Sequence, residues 1–593
     1  MNNKAAVIIS FLLSAALLLG CSVSDPHSNP SNTYPPDDVN NVIGSDGYSV
    51  SQDSISIKGK DEIISGIEFS EFKSTDLDDS WRAEGSESIN LDASYGVVTV
   101  SAGGTYVLSG SLQDGRLLID SPDDEPVRLV LNGADIFSED GPAIYVKNAK
   151  KLVLILAEGT INSISDGSTY SSVANDENKP NAAVFSMDDL TIIGDGTLSV
   201  QANYNNGIYS KDKLKIGGGI ITVKAEDDAL VGRDCVLISG GKIDLISGDE
   251  GIKTTNNDVD KGFIQITGGS VKIVSSGNSV DAESVIKFDG GAIDITSGGG
   301  YTEYEKNADS GMKGLKSDLG IVITGGTISL NSADDAIHSN ASVAVDGGDI
   351  TISTGDDAIH ADEHVSITGG NIKINNSHEG IEGAAVHIGG AALSIVSDED
   401  GINASGGSDD ADYGGRREPD AFKTNNGCII RVTGGSINIA AGGDGIDSNG
   451  GILIVGGTLL INSDINSNNG ALDYGSYCVI KGGTVAAAGG TAMAALPTSS
   501  SEQPAIALGL SPKRSGAIKI EDGSGSELFE WTPPMEYQSV VLSLPEFNVG
   551  SEYTVFIGET EYETVKLAGV LTLSSDSGHT SGGARENRPG SRP

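Results

Sequence analysis

Pairs of acidic residues recur along this chain in front of a short apolar step, and paired carboxylates are ligands for hard cations. Successive segments read NNGIY (205–209), DDALV (227–231), DEGIK (249–253), GNSVD (277–281), MKGLK (312–316), DDAIH (334–338), DDAIH (356–360), HEGIE (378–382), EDGIN (399–403) and GDGID (443–447). Their second position forms one column: Asn206, Asp228, Glu250, Asn278, Lys313, Asp335, Asp357, Glu379, Asp400 and Asp444. Their fifth position forms another: Tyr209, Val231, Lys253, Asp281, Lys316, His338, His360, Glu382, Asn403 and Asp447. Asp-Gly and Asn-Gly are good turn formers, which accounts for one such residue per segment. It does not account for two adjacent acids repeated at the same place.

Carboxylates one strand spacing (~4.8 Å) apart repel by about 0.9 kcal/mol in water and several times more at an effective dielectric of ~20. A column of them calls for a cation between them. Ca²⁺, with about 6–8 oxygen ligands at about 2.3–2.6 Å, suits carboxylates from neighbouring coils. The candidate ligands are Asp227, Asp228, Asp249, Glu250, Asp334, Asp335, Asp356, Asp357, Glu379, Glu382, Asp400, Asp444 and Asp447. The stretches 227–250 and 334–400 carry the strongest expectation, with the lysine-bearing segment 312–316 between them. GNSVD lacks leading acids, and HEGIE offers only Glu379 and Glu382. Few cysteines and unclustered histidines argue against zinc or copper at this edge. His338 and His360 are read as outward polar residues, with a metal-neighbouring role as the alternative. Lys253, Lys313 and Lys316 are read as salt-bridge partners; beside a cation, a lysine of lowered pKa becomes a base.

What must position these residues is a repeat. Gly-Gly pairs followed by alternating Ile or Val recur at 218, 240, 268, 290, 325, 347, 369, 389, 434, 456 and 482, and five of the intervals are 22 residues. One period, ITGGTISLNSADDAIHSNASVAVDGG (323–348), holds three short alternating runs separated by Gly, Asn, Asp or Ser. Three short strands per coil and no helical periodicity predict an all-β fold, a parallel β-helix of ~22-residue coils. Inward positions such as Ile350, Ile352, Ile359, Val365 and Ile367 stack on their equivalents one coil away. The coils run from about Leu91 to Gly490, some 16 of them, on the order of 75 Å at the inter-strand spacing. Insertions near 297–312 and 404–427 carry Tyr301, Tyr304, Tyr413, Phe422 and Arg416–Arg417. Longer strands over 513–573 predict a small β module, and 574–593 a disordered Ser/Gly-rich tail.

Composition agrees with repetition: 593 residues, 81 glycines and 5% aromatics do not make one large globular core. Net charge is −46, which repels nucleic acid and anionic lipid unless cations intervene. Lys4, an apolar run from Ala5 to Leu19 and then Leu18-Leu19-Gly20-Cys21 describe a signal peptide (1–20) ending in a lipobox, with Cys21 the acylated residue and the membrane a partner through that lipid. Residues 21–61 read as a flexible tether, and 62–500 as the β-helix. Cys235, Cys428 and Cys478 remain, an odd number, so a disulfide framework is not expected.

At NNGIYSKDKLKI, SGDEGIKTT, SADDAIHSN, STGDDAIHADE, SHEGIEGA, SDEDGINASGG, GGDGIDSNGG and NNGALDYGS the chain resembles the bacterial extracellular carbohydrate-binding β-helix proteins, a group similar in shape to pectate lyases. The agreement spans about 80–570. The resemblance implies a right-handed parallel β-helix, bound Ca²⁺ and affinity for cellulose-like or acidic plant polysaccharides, without established catalysis. DDAI(H) and DEGIK also resemble the Ca²⁺ motif of one pectate lyase group in which a lysine is the base; Lys253 and Lys316 occupy the matching column.

Three functions follow. The first is a monomeric, surface-exposed lipoprotein that binds acidic polysaccharide through shared Ca²⁺. The second is a Ca²⁺-dependent lyase that abstracts the proton α to a uronate carboxylate, with Lys253 or Lys316 as base. The third is a structural surface protein in which Ca²⁺ staples the fold. Neutral cellulose would favour a flat aromatic strip, yet the only tryptophans are Trp81 and Trp531.

Overall fold

The Gly-Gly pairs and acidic turns divide most of the stack into strands of two to six residues, each too short to be stable except beside a neighbour, while a few, such as Ser342–Thr354, run on through the turn. The computed structural model describes residues 41–43, 49–51, 55–81, 84–173, 176, 178–258, 260–304, 311–405, 427–466, 469–491 and 494–574. Cys21 with the signal peptide, most of the tether, Tyr413, Phe422, Arg416–Arg417 and the tail from 575 lie outside the described residues. Chain contacts divide the protein into residues 1–41 and 42–593, and the architecture below is that of the second unit.

It is all-β. Among the described residues forty-three strands join one sheet, in which most strands pair in parallel with the strand two or three places on. Thus Ser270–Ser275 pairs with Ala292–Ser297, Val280–Ala282 with Leu315–Ser317, and Val285–Phe288 with Gly320–Ile323. Three strands make one coil, and equivalent residues lie directly above one another. The first strand of each coil alternates exposed and buried residues, so its Ile and Val side chains stack in a continuous interior. Ile350, Ile352, Ile359, Val365 and Ile367 are all buried there. Each such side chain contributes about 1.5–3 kcal/mol relative to exposure. Cys235, Cys428 and Cys478 are buried free thiols.

The second glycine of each pair has a structural cause. Gly241 sits at φ +90°, and a Cβ there would lie 2.9 Å from the Gly219 carbonyl oxygen of the preceding coil. Gly219, Gly269, Gly291, Gly326 and Gly348 repeat the conformation. Strained backbone of this kind costs about 1–3 kcal/mol in a residue with a side chain. Gly241→Ala is expected to lower the unfolding free energy, read from urea titration, by about 1–3 kcal/mol. Gly569→Ala, at a position with nothing within 4 Å, is the control that should not.

Two further elements cover the stack. Residues 55–81 run along the outside of the third strands, against the direction of coil addition. Ile55 and Ile57 pack on Ala385, Ile429 and Leu453; Ile63 packs on Val285, Val322 and Ala344; Phe69 and Phe72 on Leu237 and Phe263; Trp81 on Val130, Val153 and Ile155. Lys60–Asp346 (2.7 Å) and Asp76–Lys215 (3.1 Å) pin this strap by charge. The strap explains why runs such as Leu152–Leu156 are apolar at every position: both faces are covered. At the other end Thr484–Gly489 pairs antiparallel with Tyr537–Ser543, which also pairs with Ala505–Arg514. A four-stranded antiparallel sheet (Ile518–Asp522, Glu527–Trp531, Glu552–Ile557, Thr560–Lys566) follows, with its own apolar cluster. The Tyr537–Ser543 strand occupies the open edge of Thr484–Gly489, an edge that would otherwise template aggregation.

Candidate metal centre

The acidic segments form the turn between the first and second strands of each coil. The serine that ends the first strand shapes it: Ser247, Ser275 and Ser397 donate to the carbonyls of Asp249, Gly277 and Glu399, two residues on. The second strand then fixes the fifth-position column by backbone pairing. Tyr209, Val231, Lys253, Asp281, Lys316, His338, His360, Glu382, Asn403, Asp447 and Asp473 follow one another in register. Asp473 continues the column within NGALD (469–473), a segment that carries the same spacing as the others.

The second position does something the sequence did not disclose. Its side-chain oxygen accepts the backbone N–H of the equivalent residue one coil on. The Asp228 N–H reaches Asn206 Oδ1 (3.1 Å), Glu250 reaches Asp228 (3.2 Å), Lys313 reaches Asn278 (3.0 Å), Asp357 reaches Asp335 (2.9 Å), Glu379 reaches Asp357 (3.1 Å) and Asp444 reaches Asp400 (2.6 Å). One oxygen of each of these acids is thereby committed to the ladder, and the other meets neighbouring side chains, as Asp335 Oδ2 meets Lys313 and His338. Asn206 and Asn278 serve the ladder without supplying a second oxygen.

Among the described residues four groups bring three donor atoms within 4.8 Å of one another and could each hold a metal ion: Asp227/Asp228/Asp249, Asp334/Asp335/Asp356, Asp357/His360/Glu382 and Asp400/Asp444/Asp447. Eleven of the thirteen residues expected as ligands are among them, joined by His360. Glu250 and Glu379 stand apart: Glu250 accepts from Lys253 Nζ (2.9 Å), and Glu379 accepts from Asn403 Nδ2 (3.0 Å).

The groups differ in what balances their charge. In the first, Lys253 Nζ lies 3.8 Å from Asp228 as well as beside Glu250. Burial alone would lower the Lys253 pKa, but Asp228, Glu250 and Asp249 outweigh it and raise it. In the second, buried Lys313 reaches Asp334 Oδ1 (3.3 Å) and Asp335 Oδ2 (2.5 Å). Burial opposes ionisation of Asp335, yet Lys313 and His338 hold its pKa well below the usual range. Asp356, which burial and the charges of Asp335 and Asp334 act upon, is pushed up to about 7. Asp334 Oδ2 is buried with no hydrogen-bond partner among the described residues. In the fourth group burial comes first and the neighbouring carboxylates second. They push Asp400 to about 6, Asp444 to about 8 and Asp447 to about 7. Among the described residues no lysine or arginine pairs with these three.

Lys316 pairs with Asp281 at 3.6 Å, and Asp281 separates it from Lys253 in the column. Both tryptophans pack against apolar clusters, Trp81 at the end of the strap and Trp531 in the C-terminal sheet, so neither is a free stacking platform.

Comparison with known proteins matches this architecture to a family. Residues 94–358 and 356–524 each match the model of the carbohydrate-binding domain-containing protein family. A carbohydrate-binding domain-containing protein of Acetivibrio thermocellus is 36% identical over 193 residues, 32% of this chain and 68% of that protein. A solved structure of the polysaccharide lyase-like protein from C. thermocellum, a gadolinium derivative, shares 36% identity, covering 36% of this chain and 91% of the other with a TM-score of 0.35. The two matched segments span most of the chain, and it belongs to the carbohydrate-binding domain-containing protein family.

Proposed function

We propose that the stacked coils are a right-handed parallel β-helix whose acidic ledge holds Ca²⁺, and that this ledge binds acidic polysaccharide of the polygalacturonate kind. In this reading Cys21 carries the lipid that keeps the protein at the cell envelope. The observation that carries the reading is the fourth group. Three carboxylates, Asp444 buried and Asp400 and Asp447 half-buried, face one another there, with no lysine or arginine of the described residues to balance them. Isolated buried charge is too costly to persist without a partner. An all-oxygen set suits Ca²⁺, and a cation with ligand positions left over can share them with uronate carboxylates. At a net charge of −46 the protein would otherwise repel such a polymer.

Proton abstraction by lysine has no comparable support. The carboxylates around Lys253 hold it protonated, the opposite of what a base requires.

The test is retention of the pure protein on polygalacturonate with Ca²⁺ and with chelator. Retention that chelator abolishes, without any UV-absorbing unsaturated product, is the expected result. Retention that survives chelator would overturn the shared-cation reading, and an unsaturated product would establish the lyase instead. Asp444→Asn combined with Asp447→Asn is expected to weaken retention at least tenfold.

A further inference from the structure

The third group is chemically unlike the others, because its donor set contains a nitrogen. His360 Nδ1 lies 3.0 Å from Glu382 Oε2 and 3.3 Å from Asp357 Oδ2, while its Nε2 lies 3.3 Å from Asp362 Oδ1. Three carboxylates therefore surround one imidazole, an excess of negative charge that protons or a cation must offset. The ring is 2% exposed and Asp357 6%, so water does little to screen that excess. Asn403, whose backbone pairs with that of Glu382, has a buried Oδ1 with no hydrogen-bond partner among the described residues.

The geometry points to a binding site for a divalent transition ion of the zinc class at Asp357, His360 and Glu382, distinct in selectivity from the all-oxygen groups. Four donors about 2.0–2.1 Å from a small ion lie ~3.3 Å from one another, close to the spacings of Nδ1 from its two carboxylate oxygens. Imidazole favours such ions, whereas Ca²⁺ takes oxygen. The Nε2–H donated to Asp362 is the arrangement that fixes a metal-bound histidine, leaving the Nδ1 lone pair for the metal. Occupancy of this site does not depend on Ca²⁺ at the other three.

The experiment uses the chelator-stripped full chain without a histidine tag, with ¹⁵N-labelled histidine, and adds Zn²⁺ over excess Ca²⁺. One equivalent of Zn²⁺ is expected to bind and to shift the Nδ1 resonance of a single histidine, which Ca²⁺ alone leaves unmoved. His360→Asn should remove both binding and shift. If that variant folds poorly, Asp362→Asn serves, with a loss of about 10–100-fold in Zn²⁺ affinity. The proposal is overturned if no histidine resonance moves, if the shift persists in His360→Asn, or if Ca²⁺ at equal concentration displaces the Zn²⁺. A cation-free polygalacturonate ledge would fail the earlier test and leave this one standing.

Discussion

Stripped of divalent cations, the protein is expected to be markedly less stable at about pH 8 than at about pH 5, and Ca²⁺ should abolish the difference. The cause lies in the fourth acidic group and its neighbours. Asp400, Asp444 and Asp447 are pushed to about 6, 8 and 7, and Asp356 and Glu250 each to about 7, in every case by burial first and nearby carboxylates next. A carboxyl whose pKa is raised on folding favours the folded state while it is protonated. Its contribution is complete below the unfolded value of ~4 and is lost as pH rises through the folded value. The loss therefore falls between about pH 4 and pH 8, most of it above about pH 5. For Asp444, raised from 3.8 to about 8, it amounts to on the order of 5 kcal/mol. The others are coupled to it and do not add in full. Asp335 and Glu382 are shifted the other way, because Lys313 and His338 act on the first and His360 on the second against the effect of burial. Their contributions disappear only below pH ~4, outside this window. A bound Ca²⁺ replaces the missing proton, so the liganded protein should show a flat profile. Urea midpoints at the two pH values, with Ca²⁺ and with chelator, decide the matter. A cation-free protein that gains stability toward pH 8 would remove the basis for cations on this ledge.

How much of this was legible in the sequence depends on whether a feature repeats. The 22-residue spacing of the Gly-Gly pairs reports a turn that each coil must make over the last, with Gly241 against Gly219 as the example. The fifth-position column could be written from spacing alone, because parallel stacking preserves register through every coil from Tyr209 to Asp447. The ladder made by the second position was not legible, since Asp228 and Asn206 look like ordinary turn residues until the backbone N–H one coil on is seen. His360 was read as an outward polar residue. Only the register of Glu382 against it, 22 residues away, reveals the mixed donor set. The strap was the largest omission. Residues 55–81 have no repeat, and the sequence reading placed 55–61 in a flexible tether. Their apolar residues match an outer face of the third strands that only the folded stack assembles.

The strap also yields the sharpest single-residue expectation. Asp76 is 2% exposed and is bonded to Lys151 and, at 3.1 Å, to Lys215, which is itself only 7% exposed. Burial acts to raise the Asp76 pKa, but Lys151, the Lys73 backbone N–H and Lys215 prevail and bring it to about 2. Asp76→Ala removes the carboxylate and leaves a buried ammonium with the Glu71 carbonyl (2.7 Å) and the Phe72 ring as its remaining partners. Breaking a buried ion pair from one side costs about 3–5 kcal/mol. The stack below has its own continuous core, so the loss should appear as release of the strap and not as global unfolding. Amide exchange across 55–81 is expected to rise by about two to three orders of magnitude, and proteolysis to begin there. The same region should loosen in the wild type as pH falls from ~4 toward 2, because a lowered carboxylate pKa contributes stability only above that range. Replacing Asp76 together with the more buried of its two lysine partners, Asp76→Leu with Lys215→Met, should recover much of the protection, since apolar residues of similar size satisfy the site without the pair. Unchanged exchange in Asp76→Ala would mean that Ile63, Phe69 and Trp81 alone hold the strap, and that the buried charges are incidental to it.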